Sequence, residues 1–564
     1  MMYNSHIHQE VAALTFEHTA QTAGTLTVFP VSMSIDDPVS IRLTWTCASV
    51  PIQQGGCVRF QIPQAFCDPQ IRSPLQAGYC RAECSRADAS LSLSLVRDGD
   101  PKDGAYVTIW GKNIFVHLLS GTLTEGDQIR LYYGQCASGD TGPFAYVERT
   151  PAPFFSGRHF FSAAIDPDGS RSAPFSGMLR CPDRPEVFVT PGPAVRCAHI
   201  SSLRGQAEIT FDHLDNPVET RWIGTTEQAE QPPVLFGDIH CHSMYSDGLW
   251  EPEDCYRFAR DVIGLDFCAV TDHVVQMSDE EWERTLETNR RWNRDGQFIT
   301  LNGYELNYPG IGDKNLYYPG EDSPLLRDRH WGTEELIDPY THVPRWLAEG
   351  AVMMAHLHAG NLTKFYVPEL CRLVEIYSNW GCCECEGAQP AFIPSLRQDF
   401  RGQWAQDALT AGWRIGFTGN SDDHMARPGW SGWHRVERVY HGGLTAVRTA
   451  SSTRSGIFEA LKDRRTYATS GARILIDAEL NGAPMGSTVV AGPESCIRLA
   501  VNAAAPILSI ELISHGKTIS CIHPQGAAWQ GELLCSGLTG PCYLRIRRQD
   551  GHQAWTSPWY LENN

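Results

Sequence analysis

Between Leu235 and Gly471 short apolar runs alternate with stretches of helical period, and this alternation constrains the fold more than any other feature. "VLFGDIH" precedes "EPEDCYRFARDVIG", and "LDFCAVTDH" precedes "SDEEWERTLETNRRW", where Ser278 and Glu281 have capping-box spacing. "FITLNGYEL", the helix-like "TEELIDPYTHVPRWLAEG", "AVMMAHLH", "RLVEIYSN", "DFRGQWAQDALTAG" and "RIGFTGNSDDH" continue the series. Strands that are apolar on both faces and separated by helices belong in a parallel sheet covered on both sides. Closure of that sheet into a barrel is the expected architecture.

The texture changes on either side. Residues 1–200 carry short β-type runs such as "GTLTVFPVS", "SIRLTWTC" and "DQIRLYYG", punctuated by Pro, Gly and Asp, and predict an N-terminal β-sandwich. A connector over 201–234 leads into the α/β region, 235–472. Residues 473–564 return to β texture in "ILIDAELNG", "CIRLAVNA" and "CYLRIRRQDG", which predicts a smaller C-terminal β-sandwich. Such a division suits 564 residues, too many for one core, and a composition of 42% hydrophobic and 20% charged residues suits globular domains. The net charge of −19 is spread along the chain without clustered Lys and Arg, which argues against a nucleic-acid partner. No run approaches ~20 apolar residues and no leader-like segment opens the chain, so a cytoplasmic protein without a membrane partner is expected. Its 19 cysteines are then expected to be mostly reduced. Cys80/Cys84 and Cys382, Cys383 and Cys385 lack a second cluster at zinc-site spacing, so no structural zinc is assigned to them. Composition leaves the oligomeric state open.

The ends of the apolar runs carry the chemistry. His240 and His242 close the first, with Asp247 in the loop beyond; His273 closes the second, next to Asp272; Glu305 closes the third. His356 and His358 close the fourth, Glu375 lies in the fifth, and Asp422 and His424 close the sixth. In a parallel α/β barrel such positions converge on one mouth. A single buried histidine at a strand end is ordinarily a hydrogen-bonded core residue. So many titratable groups buried together are costly without a cation, and imidazole and carboxylate donors suit zinc, manganese or iron. The donors exceed the shell of one ion, so two or three divalent metal ions bridged by shared carboxylates are expected. Such a centre lowers the pKa of a bridging water and supplies hydroxide at neutral pH, which points to hydrolysis. A dinucleotide loop and a P-loop are both absent from the sequence.

The motifs "HCHSMYSDG", "AVTDH", "GYE", the histidine after "VMMA", and "SDDH" together resemble the PHP (polymerase and histidinol phosphatase) superfamily of metal-dependent phosphoesterases. More narrowly, "SDDHMARPGW", "GLTAV" and "RRTYATSGARILIDAELNGAPMGS" resemble a bacterial subgroup known as domain of unknown function 3604, from about Leu235 to the C-terminus. The isolated "HIH" at His6 to His8 has no strand context and receives no role. The resemblance implies a multidomain α/β plus β chain, with a distorted (β/α)7 TIM-like barrel of PHP type flanked by N-terminal and C-terminal β-sandwich domains. It implies typically three metals at the strand ends, held by His240, His242, Asp247, His273, Glu305, His356, Asp422 and His424. The subgroup usually carries Gly-His-x-Asn after "GYE"; this chain reads "GDKN", with Asp313 in the histidine's place and taken as a ligand. Asp272 (orienting an imidazole), His358 (a second candidate beside His356) and Arg427 are assigned catalytic roles. Lys314, Arg473 and Tyr467 are assigned to the substrate, with the cations as clamps on an anionic group. Each cation taken alone is more ordinarily a surface or ion-pair residue. Trp380, Trp430 and Trp433 flank the motifs as an aromatic wall or as core. The expected function is a metal-dependent hydrolase of a phosphoester in a small anionic molecule, with metal-bound hydroxide as nucleophile. Cleavage of another ester, an amide or a carbohydrate-linked group is the alternative, and a metal-stabilised binding module the third reading.

Overall fold

A computed structural model of the protein describes residues 23–35, 40–63, 66–67, 69–74, 76–95, 112–134, 157–170, 178–183, 185–212, 217–224, 234–246, 248, 251–308, 311–330, 335–356, 364–392, 401–430 and 441–562. The chain divides into two compact units: 1–197 with 210–219 and 332–334, and 198–209 with 220–331 and 335–564.

In the first unit the strands Thr25–Phe29, Ile41–Thr46, Gln128–Tyr133 and Cys80–Cys84 form an antiparallel sheet. Ile41, Leu43 and Trp45 are buried opposite Tyr133, Leu131 and Ile129, as strand alternation requires of a face turned to a core. A five-stranded sheet centred on Cys57–Ile62 buries Val58, Phe60 and Ile62. A smaller one joins Ser32–Ser34, Glu186–Thr190 and Gly157–Phe160.

The second unit is sheet-rich, and helices account for only 12% of the structure. Val234–Asp238, Phe267–Cys268 and Ile299–Thr300 run parallel. Gly237 permits the first pair to close, since a Cβ there would meet the Phe267 ring at 2.3 Å. From Val234–Asp238 the sheet continues antiparallel through Leu444–Arg448 and Thr466–Thr469 to Gln553–Thr556, Gly540–Arg548 and Ile507–Ser514. One sheet therefore runs past position 473. A second begins with the antiparallel Asn302–Tyr308 and Gly312–Tyr318, passes to Val352–Ala355, and ends parallel in Cys371–Ser378 and Gly416–Gly419. Leu235, Ile239, Phe267, Ile299, Met354 and Leu373 pack against Ile457, Phe458 and Leu461 of the Arg454–Lys462 helix.

The helix Asp279–Trp292 forms as its sequence dictates: Ser278 and Glu281 make both bonds of the capping box, and Trp282, Leu286 and Trp292 turn inward. The expected (β/α)7 barrel is not what the described residues display. They form mixed sheets because the Tyr-, Leu- and Asn-containing runs 302–308 and 312–318 pair antiparallel, adding a strand where the sequence suggested no element. Of the segment expected as a helix from Thr333, the described residues are α-helical over Pro339–Ala348. Asp338 caps that helix by accepting from Tyr340 N at 2.9 Å, and Pro339 occupies a first-turn position. Cys80, Cys84, Cys382, Cys383 and Cys385 are free thiols outside the candidate metal groups. Among the described residues no helix is long and apolar enough to cross a membrane.

Candidate metal centre

Backbone bonds first join four motif segments in two pairs. Asp422 N donates to His240 O at 2.8 Å and His242 N donates to Asp423 O at 2.7 Å, stitching the end of the Val234–Asp238 strand to "SDDH". Glu305 N donates to Asp272 O at 3.0 Å and Val274 N donates to Glu305 O at 2.8 Å, which sets His273 beside the Asn302–Tyr308 strand. Asp422 sits at φ 52°, a left-handed conformation that costs energy outside glycine and is common where a site over-determines the backbone.

The side chains then meet. Glu305 Oε2 lies 3.2 Å from His240 Nε2, 3.1 Å from His242 Nε2 and 3.4 Å from His273 Nδ1, while its Oε1 lies 2.9 Å from His356 Nε2. Asp422 Oδ1 lies 3.2 Å from His240 Nε2, 3.1 Å from His242 Nε2 and 3.9 Å from His424 Nδ1. His240 Nδ1 lies 2.9 Å from Glu375 Oε2. The His242 ring stacks on His424 at 4.1 Å and lies 4.4 Å from His273. Four overlapping donor groups result: His242, His273 and His424; His240, His242, Glu305 and Asp422; His240, His356 and Glu375; Glu305, Asp313 and His356. Within each group the donor atoms lie within 4.8 Å of one another. All but His273 are buried, so nitrogen and oxygen donors able to hold a metal ion converge away from the surface.

The charges shape one another. Burial works to raise the Glu305 and Asp422 carboxyls, but the surrounding imidazoles hold both well below the usual carboxylate range. Burial works to lower His240, but Asp422, Glu375 and Glu305 hold it well above the ordinary imidazole value.

Among the described residues Asp272 is held by serines rather than by an imidazole. It accepts from Ser243 N at 2.7 Å, Ser243 Oγ at 2.6 Å and Ser246 Oγ at 2.6 Å, and Ser246 Oγ lies 3.4 Å from His242 Nδ1. Arg427 is buried near Asp423, whose carboxylate accepts its backbone N–H. Three of the residues assigned to catalysis or substrate lie elsewhere. Lys314 alternates with Asp313 and Asn315 along its strand, so it faces away from the ligands, and its Nζ donates to Ile311 O at 2.8 Å. The Arg473 guanidinium donates to Ile263 O at 3.0 Å and Gly264 O at 2.7 Å and lies over the Phe236 ring. Tyr467 is core: its Oη donates to Ile474 O at 2.8 Å and its ring meets Phe236 edge-on. Trp380 Nε1 donates to Asp422 Oδ2, and half-buried Trp430 lies 4.8 Å from His441. Asp247, His358, Trp433, His6 and His8 lie outside the described residues.

Two contributors went unassigned from sequence. Glu375 was located in its strand without a role, although an acid inside "RLVEIYS" is itself a signal. Asp238 accepts from His240 N at 3.1 Å, Ser421 N at 3.2 Å, Ser421 Oγ and Gly429 N at 2.6 Å, and burial pushes its carboxyl up to about 7. It fixes the loop that carries His240 to the one that carries Asp422.

A model of a protein family of unknown function, DUF3604, matches residues 403–504. The chain is 27% identical over 362 residues to an uncharacterized protein of Chlamydia muridarum, and 28% identical over 371 residues to one of Chlamydia trachomatis serovar D. Each match covers 59% of this chain and 58% of the relative, so the chain spans little more than half the length of the relatives it matches. A solved two-domain protein containing a predicted PHP-like metal-dependent phosphoesterase, from Bacteroides vulgatus, is similar with a TM-score of 0.31 and 16% identity, over 59% of this chain and 100% of that one.

Proposed function

We propose that the protein is a metal-dependent hydrolase, acting on a phosphoester of a small organic molecule through two or three divalent cations (zinc, manganese or iron). The observation that carries this reading is the sharing of Glu305: one carboxylate oxygen faces three imidazoles and the other faces a fourth. A carboxylate so placed would be able to serve more than one cation, each of its oxygens facing a different set of imidazoles. The sequence motifs shared with the PHP superfamily, whose distorted barrel carries such a rim, support the same reading.

His242, His273 and His424 would hold one cation, with Glu305 and Asp422 shared towards His240. His356, Glu375 and Asp313 would complete the remaining positions. Cations bound there supply an activated water at neutral pH and stabilise charge developing on the substrate. The chain's own residues prepare the place. Asp238 and Asn420 hold the backbone around His240: Asn420 Oδ1 accepts from Ile239 N at 3.1 Å, and its Nδ2 donates to Glu375 Oε2 at 2.9 Å. Ser243 and Ser246 hold Asp272, and Trp380 fixes Asp422. A cytoplasmic setting and a small anionic substrate belong to the same proposal.

Chelation is expected to abolish turnover and manganese, zinc or iron to restore it. Undiminished turnover by protein stripped to less than one equivalent of metal would overturn the reading. Cleavage of a different ester, an amide or a carbohydrate-linked group gains from one observation: Lys314 and Arg473, two of the expected anion clamps, point elsewhere. A panel of phosphomonoesters and diesters set against acyl esters and amides separates the two.

A further inference from the structure

Two carboxamides beside the donor cluster have hydrogen-bonding capacity that the described residues leave unmet. Asn379 is 3% exposed, and neither its Nδ2 nor its Oδ1 meets a partner among the described residues. Its backbone N donates to Ser421 O at 3.3 Å, and the next residue, Trp380, donates to Asp422, so it stands one residue from a proposed ligand contact. Asn307 is 8% exposed; its Nδ2 donates to Glu305 Oε1 at 3.4 Å and its Oδ1 meets no described partner. The Asn307 amide thus neighbours Glu305 of the cluster, and the Asn379 backbone is bonded to the loop that carries Asp422.

A buried amide left without partners destabilises a fold, and folded proteins rarely keep one without use. We infer that Asn379 and Asn307 are substrate-positioning residues that bind uncharged hydroxyl or amide groups on the body of the substrate. The class of ligand is therefore a polyhydroxylated small molecule, sugar-like or polyol-like, carrying the scissile group. A carboxamide offers a donor and an acceptor side by side, which matches neighbouring hydroxyls and gives no preference for a second anion. The turning away of Lys314 and Arg473 agrees with this. The inference rests on the hydrolase reading for the scissile group alone; recognition of the hydroxylated body stands apart from it.

The test compares phenyl phosphate with hexose and inositol monophosphates on metal-loaded wild type, Asn379→Leu and Asn379→Asp, with metal content and melting temperature measured for each. Calorimetry with the parent hexose and inositol runs in parallel. Wild type is expected to prefer the hydroxylated phosphates, and Asn379→Leu to lose about tenfold of that preference through KM. Asn379→Leu should keep its metal and melt no lower than wild type, because it removes an unmatched buried amide; a residue with a merely structural role would melt lower. Equal turnover of both substrate types by wild type, or an unchanged preference in both variants, overturns the inference. If metal-loaded wild type turns over neither, the phosphoester reading fails, and calorimetry decides: hexose or inositol binding lost in the variants upholds the inference, and no binding by wild type overturns it.

Discussion

At Glu305 one carboxylate faces four imidazoles, and at Asp422 a second faces three, so neither histidine nor acid can be altered without leaving a buried partner exposed to an uncompensated charge. Glu305→Gln is expected to lower metal affinity more than about 100-fold, read as cation equivalents retained after dialysis. Retention of every equivalent would show that Glu305 ligates nothing. The same residues give the metal-free protein a pH signature. Glu305 and Asp422, held low, add stability above the ordinary carboxylate range, which is lost only as strong acid protonates them. His240, held above its usual 6.5, adds stability that is complete below that value and fades as the pH rises through the raised one. Metal-free protein should therefore melt at lower temperature on the alkaline side of neutrality. The melting increment from added metal should grow in the same direction, because cations need deprotonated imidazoles. Parallel melting curves with and without metal across pH 6 to about 9 would refute this linkage. At this scale the sequence was informative for residues whose chemistry advertises them. It was uninformative for Asp238 and Asn379, whose importance comes from what the fold places around them.

Among the elements, the parallel pair Val234–Asp238 and Phe267–Cys268 aims His240 and His242, and it closes only because Gly237 has no side chain. Gly237→Ala should force the strand off the Phe267 ring, at about 1–3 kcal/mol, and weaken metal binding with it. Urea unfolding and metal titration of the same variant check both halves; unchanged values in each would show that the strands yield without cost. The helix Asp279–Trp292 was legible because a capping box and an inward stripe are local properties of sequence. Of the hairpin Asn302–Tyr308 to Gly312–Tyr318 only the first strand was read from sequence, although Pro309-Gly310 is a turn-forming pair. Its second strand, buried on both faces, opens on Gly-Asp-Lys-Asn and so lacks the apolar run that marks a buried strand in sequence. The unread strand mattered for Lys314, since strand alternation sends consecutive residues to opposite faces and nearness in sequence to Asp313 says nothing of direction.

Over the second unit as a whole, the sheet that begins behind the metal centre ends in the C-terminal strands, so the two regions share hydrogen bonds. Buried Glu384 secures the junction: it accepts from Arg545 Nη1 at 2.8 Å, Trp555 Nε1 at 3.0 Å and Tyr543 Oη at 2.5 Å. Glu384→Ala should cost about 3–5 kcal/mol and bring the unit down in one transition, with loss of metal and loss of β signal coinciding. A metal site that outlasts the melting of Gly540–Arg548 would show two independent bodies instead. The sequence by itself determined which residue types were available, where strands ended on them, and hence that nitrogen and oxygen donors for cations were present. These are local facts of composition and period. Only the tertiary structure decided which donors share an oxygen, which cations of the chain turn away, and how the strands pair. Each of those depends on contacts between residues far apart in the chain, and local pattern does not encode the direction in which a side chain leaves its strand.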